Sequence, residues 1–237
     1  MPSIETTAQT PLILALDTAS SLGSVALVRG ERLLGGRAFE AKPSHSQQLL
    51  PAIQAVCSDA GITPSSVDVF AAVVGPGSFT GLRVSLACVR GLAGTRPCFG
   101  ALATDVAAWA ARGRTKRILA ITDLFHGEVF GSIHDADGSL ISARESGDLK
   151  PVLSALREHA GDDLVATGSA AMKHRDEIAV VFPTISFLEL SDGLAPHLAS
   201  MAVTAGTKDT VQASDLMPFY LRDPLTRGLL NTQPKAR

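Results

Sequence analysis

Gly75-Pro76-Gly77-Ser78-Phe79-Thr80-Gly81-Leu82-Arg83 is the stretch on which the reading of this chain turns. The apolar run Val67 to Val74 leads into it, and the apolar segment Val84 to Ala93 leaves it. The pattern is a buried strand, a glycine-rich turn and a buried helix. Three glycines and a proline in seven residues call for special dihedrals or a close approach of the backbone to something else. Ser78 or Thr80 can cap the helix, whose free amides would favour an anion. The stretch is not a Walker loop, because no Gly-Lys-Ser/Thr closes it, and its glycine spacing is not that of a dinucleotide fingerprint. The plainer alternative is a tight turn packed closely on its neighbours.

Outward from the turn, the first half reads as a mixed α/β unit. Leu12 to Leu16 is a continuous apolar run, a central strand covered on both faces. A polar turn follows, Asp17 to Gly23, then strands Ser24 to Val28 and Arg32 to Phe39 joined at Arg29-Gly30-Glu31. A helix starts at Pro43-Ser44, with Leu49, Leu50, Ile53, Val56, Cys57 and Ala60 on one face, Pro51 inside it, and Gly61 at its end. A second stripe, His45, Gln48, Ala52 and Ala55, is small or polar and suits close approach of another helix. The helix after the glycine turn, Thr80 to Gly94, is apolar on nearly every side, with Arg83 and Arg90 its only charges. The expectation is that it is covered on every side, by a second lobe or a partner. Cys98 to Ala103 and Asp105 to Ala111 close the half as strand and helix.

The opening then repeats. Ile118 to Asp123, a short turn and Gly127 to Phe130 match Ile13 to Asp17 and Gly23 to Ala26. Asp135 to Gly138 is the matching hairpin turn. A strand at Ser139 to Glu145, a helix at Asp148 to Ala160, a strand at Leu164 to Thr167 and a helix at Ser191 to Ala205 complete a second copy. Two copies predict duplicated lobes, mixed sheets flanked by helices, facing each other across a cleft. The expected division is a flexible N-terminus at 1–11, a partner-binding first lobe at 12–103, a second lobe at 104–227 and a flexible tail at 228–237. Met217 to Asp223 reads as an extended aromatic segment.

Composition narrows the function. Of 237 residues 46% are hydrophobic and 19% charged, enough for a real core, and the net charge of −2 gives no global basic field for nucleic acid. The basic run Arg112 to Arg117 reads as a solvated connection. Cys57, Cys88 and Cys98 lack Cys-x-x-Cys spacing and fit a reducing cytoplasm. Met1 to Pro11 lacks an apolar signal core, and no run is long enough to span a bilayer. The histidines, His45, His126, His134, His159, His174 and His197, include no helical ligand pair and no His-Glu-x-x-His, so no metal site and no metalloprotease is expected.

Duplicated lobes with an aspartate after the first strand of each are the plan of the actin, hexokinase and Hsp70 ATPase superfamily, which the chain resembles. The combination of Leu14-Ala15-Leu16-Asp17-Thr18-Ala19-Ser20, His45 to Pro51, the glycine turn and Tyr220-Leu221-Arg222 resembles the TsaB family, also called YeaZ. The likeness spans residues 12 to 223 and is most specific in the first lobe. It implies a cytoplasmic, non-catalytic scaffold in the machinery that makes threonylcarbamoyladenosine next to the anticodon of tRNA. Its implied partners are the catalytic paralogue TsaD, the ATPase TsaE, tRNA through the complex, and a second copy when TsaB is alone. The implied interface is His45, Gln48, Leu49, Ala52, Arg83, Ala87 and Arg90. Gly75, Pro76, Gly77, Ser78, Phe79, Thr80 and Gly81 would help line a nucleotide site at the join.

On that reading Asp17, Thr18 and Asp123 are vestiges of a nucleotide site. No cofactor is expected on this chain alone, with ATP or ADP and Mg²⁺ placed at the complex interface. An active member needs carboxylates for Mg²⁺ and a glycine-bearing phosphate loop in each lobe. Here Ala19 stands where a close phosphate approach would favour glycine, and Leu124-Phe125-His126 put bulk where a phosphate-binding hairpin would need glycine and hydroxyl groups. The family's usual Asp-Ala-Arg is Asp123-Leu124-Phe125, a visible departure. The competing hypothesis is a stand-alone ATP-dependent kinase or ATPase with Asp17 and Asp123 acting together.

Overall fold

The computed structural model describes residues 10–42, 44–124 and 127–221. Most of the expected N-terminal segment, Pro43, Phe125 and His126 in the second turn, Arg222 and Asp223, and the 228–237 tail lie outside the described residues.

The first sheet is built from β1 (Leu12–Asp17), β2 (Leu22–Arg29), β3 (Arg32–Glu40), β4 (Val69–Gly75) and β5 (Cys98–Leu102), in the order β3-β2-β1-β4-β5. The first three strands form an antiparallel meander, and β4 and β5 add in parallel. Helices α1 (His45–Asp59) and α2 (Phe79–Ala93) supply the crossovers, as parallel neighbours require. The second sheet repeats the plan with β6 (Arg117–Asp123), β7 (Glu128–Asp135), β8 (Glu145–Asp148), β9 (Leu164–Thr167) and β10 (Ser186–Leu188), ordered β8-β7-β6-β9-β10. Its crossovers are α4 (Leu149–Ala160) and the short pair α5 (Ser169–Lys173) and α6 (Arg175–Val181). The duplicated architecture expected from the repeat is therefore present, two mixed sheets flanked by helices.

Strand alternation sorts the core into layers. Leu12, Leu14 and Leu16 of β1 face α1 and α2, where they meet Leu49, Ile53, Val56, Leu86 and Val89. Ile13 and Ala15 face the opposite way, onto α3 (Ala103–Ala111) and α7 (Ala195–Ala205). In the second sheet Leu119 and Ile121 pack on α4 and its neighbours, while Ile118 and Ala120 pack on Ala107, Ala108 and Ala111 of α3. Alanine-rich α3 thus touches both sheets, and its small side chains let them approach.

Two expectations need correction. The strand expected at 139–145 is reduced to one bridge, His134 with Leu140, and β8 begins only at Glu145. The last helix, assigned above to the second lobe, packs on the first sheet: Ala195, Leu198, Ala199 and Ala202 are buried against β1, β2 and β4. Burial on α7 is decided by which sheet it meets, and its own apolar stripe suits either. Among the described residues no helix is long and apolar enough to cross a membrane.

Candidate functional site

The glycine turn is shaped by the turn that follows β1. A Cβ on Gly77 would lie 2.2 Å from the Ala19 carbonyl oxygen, and one on Gly81 would lie 2.0 Å from that of Thr18. Gly75 has φ +124, a region side chains avoid, and its Cβ would meet the Phe219 carbonyl at 2.6 Å. The two turns are also stitched together. Ser78 N–H donates to Ala19 O (2.7 Å), and Thr18 Oγ1–H donates to Gly81 O (2.7 Å). Ser78 is the cap of α2, its Oγ accepting from the Gly81 amide (3.1 Å). These amides, which a phosphate would need, are already engaged within the chain. Phe79 and Thr80 remain exposed at the helix start.

The extended aromatic segment closes the back of this turn. Phe219 N–H donates to Val74 O (2.7 Å), and the Tyr220 ring lies 5.1 Å from that of Phe79. Leu216 fills the space left by Gly100. Arg90 holds the segment from α2, donating to the carbonyls of Ala213 and Leu216 at 3.3 and 2.9 Å. Phe219 also meets Phe130 of the second sheet, with centroids 6.1 Å apart.

Between the sheets lies a cleft of about 180 Å³, lined among others by Asp17, Ser20, Thr122, Ser169, Glu189 and Leu194. Asp17 continues the Ile13 and Ala15 face of β1 into this cleft and is fully buried. Its Oδ1 accepts from the Ala19 amide (2.9 Å), while among the described residues no hydrogen bond forms to Oδ2, and the Leu194 amide approaches the carboxylate without closing one. Burial pushes its carboxyl up to about 6, partly offset by the Ala19 and Leu194 amides. Asp123 is not its counterpart. It follows Leu119 and Ile121 in parity and so belongs to the outer face of β6. Its Oδ2 is paired with Lys173 Nζ at 2.8 Å, and its amide donates to Ser169 Oγ. The residue of β6 that lines the cleft is buried Thr122, which the alternation of Ile118, Ala120 and Thr122 already signals.

A Mg²⁺ nucleotide does not fit these residues. Among the described residues no Lys or Arg lines the cleft, its volume is below the roughly 300 Å³ at the lower end for ligand pockets, and the two aspartates point to different layers. Among the described residues no group of three or more His, Cys, Asp or Glu side chains converges as a metal would require.

The residues expected at a partner face divide in two. His45, Leu49 and Ala52 lie inside the chain's own core, which corrects their assignment to a contact surface. His45 starts α1, its Nε2 bonded to Ser20 O (2.7 Å) and its ring edge-on to Phe39. Its pKa is lowered by burial, against the pull of the Ser20 carbonyl. Arg83 and Ala87 are exposed on α2, Gln48 is half-buried, and Arg90 is partly engaged with the C-terminal segment. Of the two covers expected for α2, a second lobe or a partner, the chain's own second lobe does not supply one for this face: Arg83, Ala87 and Gly91 face out. Beside them α1 exposes Leu50 (52% accessible), Pro51 and Gln54.

Comparison with known proteins agrees with this picture. The model of the family described as TsaD: tRNA N6-adenosine threonylcarbamoyltransferase matches residues 39–132. The tRNA threonylcarbamoyladenosine biosynthesis protein TsaB of Bacillus subtilis (strain 168) is 24% identical over 215 residues, spanning 89% of this chain and 93% of that protein. Its namesake from Escherichia coli (strain K12) is 34% identical over 131 residues, 53% of this chain and 55% of that protein. The solved structure of YeaZ from Pseudomonas aeruginosa aligns with a TM-score of 0.69 at 25% identity, covering 89% of this chain and 100% of that one. In its two-sheet fold and along nearly its whole length, the chain is thus similar to proteins of the TsaB/YeaZ family.

Proposed function

We propose that this protein serves the biosynthesis of threonylcarbamoyladenosine in tRNA as a non-catalytic subunit that binds a TsaD-type threonylcarbamoyltransferase. The observation that carries the reading is the outer face of α1 and α2. There the chain leaves an apolar Leu50, a proline, small Ala87 and Gly91, and flanking Arg83 uncovered on two adjacent helices. A surface of small and apolar residues on paired helices suits close packing by two helices of a partner. The same face would pair with a second copy when the partner is absent. TsaE and tRNA would join through the assembled complex, and any ATP or ADP with Mg²⁺ would sit at the shared interface near Phe79 and Thr80.

The stand-alone kinase or ATPase reading is weakened by the cleft. Asp123 is neutralised by Lys173, Asp17 stands without a second carboxylate partner from β6, and the glycine turn is filled by Thr18 and Ala19. The test is size and mass analysis of the chain mixed with its TsaD. Ala87→Arg should leave the chain folded and lower its affinity for TsaD by at least about tenfold, since a desolvated arginine costs more than 1.4 kcal/mol at a packed interface. An undiminished complex with both Ala87→Arg and Leu50→Arg would refute this face. ATP turnover by the isolated wild-type chain, lost in Asp17→Asn, would restore the enzyme reading.

A further inference from the structure

The Asp17 carboxylate is left in a state that the fold itself does not satisfy. The residue is fully buried, Oδ1 has the Ala19 amide, and beyond the influence of the Leu194 amide on the carboxylate no hydrogen bond forms to Oδ2 among the described residues. A buried carboxylate oxygen without a partner is costly, and such groups persist where a bound group completes them. The lining of the cleft indicates the chemistry of that group. Among the described residues no lining side chain is basic, Glu189 adds a second carboxylate at the exposed rim, and the hydroxyls of Ser20 and Thr122 offer further acceptors. Anions are therefore disfavoured. Leu22, Met172 and Leu190 make much of the wall apolar, which does not suit a cation that keeps its water shell. The absence, among the described residues, of three converging acidic or histidine ligands argues further against a divalent metal. A volume of about 180 Å³ admits a molecule of only a few heavy atoms.

We propose that the cleft between the sheets is a binding site for a small primary ammonium compound, its charged head paired with Asp17 Oδ2 and its short apolar body resting on Leu22 and Leu190. Three N–H donors match one carboxylate oxygen and the neighbouring hydroxyls, and a charge-assisted bond in a buried setting is the strong kind. The site is separate from the partner face of α1 and α2, so it stands or falls independently of the subunit reading.

n-Butylammonium chloride is the probe, titrated into the full-length chain near neutral pH or above, with sodium chloride at matched ionic strength as reference. The melting temperature should rise saturably with butylammonium, as for any ligand that binds only the folded state. Tetramethylammonium chloride, which has no N–H donor, and MgATP should leave it unchanged. In Asp17→Asn the half-saturating concentration should increase at least about tenfold, the loss of one hydrogen bond to a charged group. Equal responses of wild type and Asp17→Asn, an equal response to tetramethylammonium or MgATP, or no saturable response at all would each overturn the proposal. Isothermal titration of the wild-type chain with butylammonium and tetramethylammonium reads the same discrimination without any variant.

Discussion

At Asp17 the protein holds a carboxylate that is fully buried, with a pKa raised to about 6 chiefly by desolvation. The unfolded chain would titrate near 3.9. A group whose pKa is raised on folding favours the folded state below the unfolded value and loses that contribution as pH rises through the folded one. Above about pH 6 the ionised carboxylate therefore weighs against the fold by on the order of 1–3 kcal/mol. Asp17→Asn keeps an acceptor for the Ala19 amide and removes the charge. Denaturant titration near pH 7.5 should find the variant more stable by that order, with the gain gone near pH 4. A variant less stable than wild type at neutral pH would mean that Oδ2 is paired after all. The residue scale also shows where one position of register matters. Asp17 and Asp123 look equivalent in the sequence, yet they fall on opposite parities of their strands, and Thr122 takes the cleft position. The glycines of the turn were legible as a demand for close approach. That the approaching atoms are the carbonyls of Thr18 and Ala19 was not, because they lie about 60 residues away in the chain.

Among the elements, α1 illustrates how far periodicity carries. Of its expected stripe, Leu49, Ile53, Val56 and Cys57 are in the core and Ala60 is partly buried against it, as the 3.6-residue spacing demands, while Leu50 is exposed. The second stripe was harder to assign, because small residues such as Ala52 suit a core and an interface equally. The sheet beneath α1 takes His45 and Ala52, leaving Gln47, Leu50, Pro51 and Gln54 outside. The C-terminal segment is the other element whose role depends on contacts. It has no regular structure of its own after Val211 bridges Cys98, and Arg90 secures it through two carbonyls. Arg90→Ala should lower stability by about 1–2 kcal/mol, the low end for hydrogen bonds to a charged group because the site is partly exposed. It should also speed amide exchange at Phe219, whose N–H is bonded to Val74. Unchanged exchange there would show that Leu216, Phe219 and Tyr220 hold the segment without the guanidinium.

For the whole molecule, the buried histidines set the response to acid. His134 of β7 is buried beside Asp105 of α3, with Nε2 2.9 Å from Ser132 Oγ and Nδ1 3.0 Å from Gly138 O. Its pKa is lowered by burial and by Arg144, against Asp105 and the Gly138 carbonyl. His45 and His197 are lowered as well, both chiefly by burial. A histidine held neutral in the fold supports stability above its unfolded pKa of about 6.5, and that support is lost as the unfolded chain takes up protons below it. Stability should therefore fall on acidification from about pH 7 towards 5, in the direction opposite to the Asp17 contribution. His134→Gln should flatten the fall in a pH series of denaturation midpoints, and an unchanged slope would assign the acid response elsewhere.

The sequence by itself determined the two mixed lobes, because apolar runs, turns and their repetition are local patterns that the chain carries in order. It also determined the family motifs of the first lobe. Only the tertiary structure decided that α7 returns to the first sheet, that Lys173 neutralises Asp123, and that α1 turns Leu50 outward in place of Ala52. Each of these depends on which of several compatible surfaces meets another distant in the chain, and hydrophobic burial is non-directional until packing selects the pair.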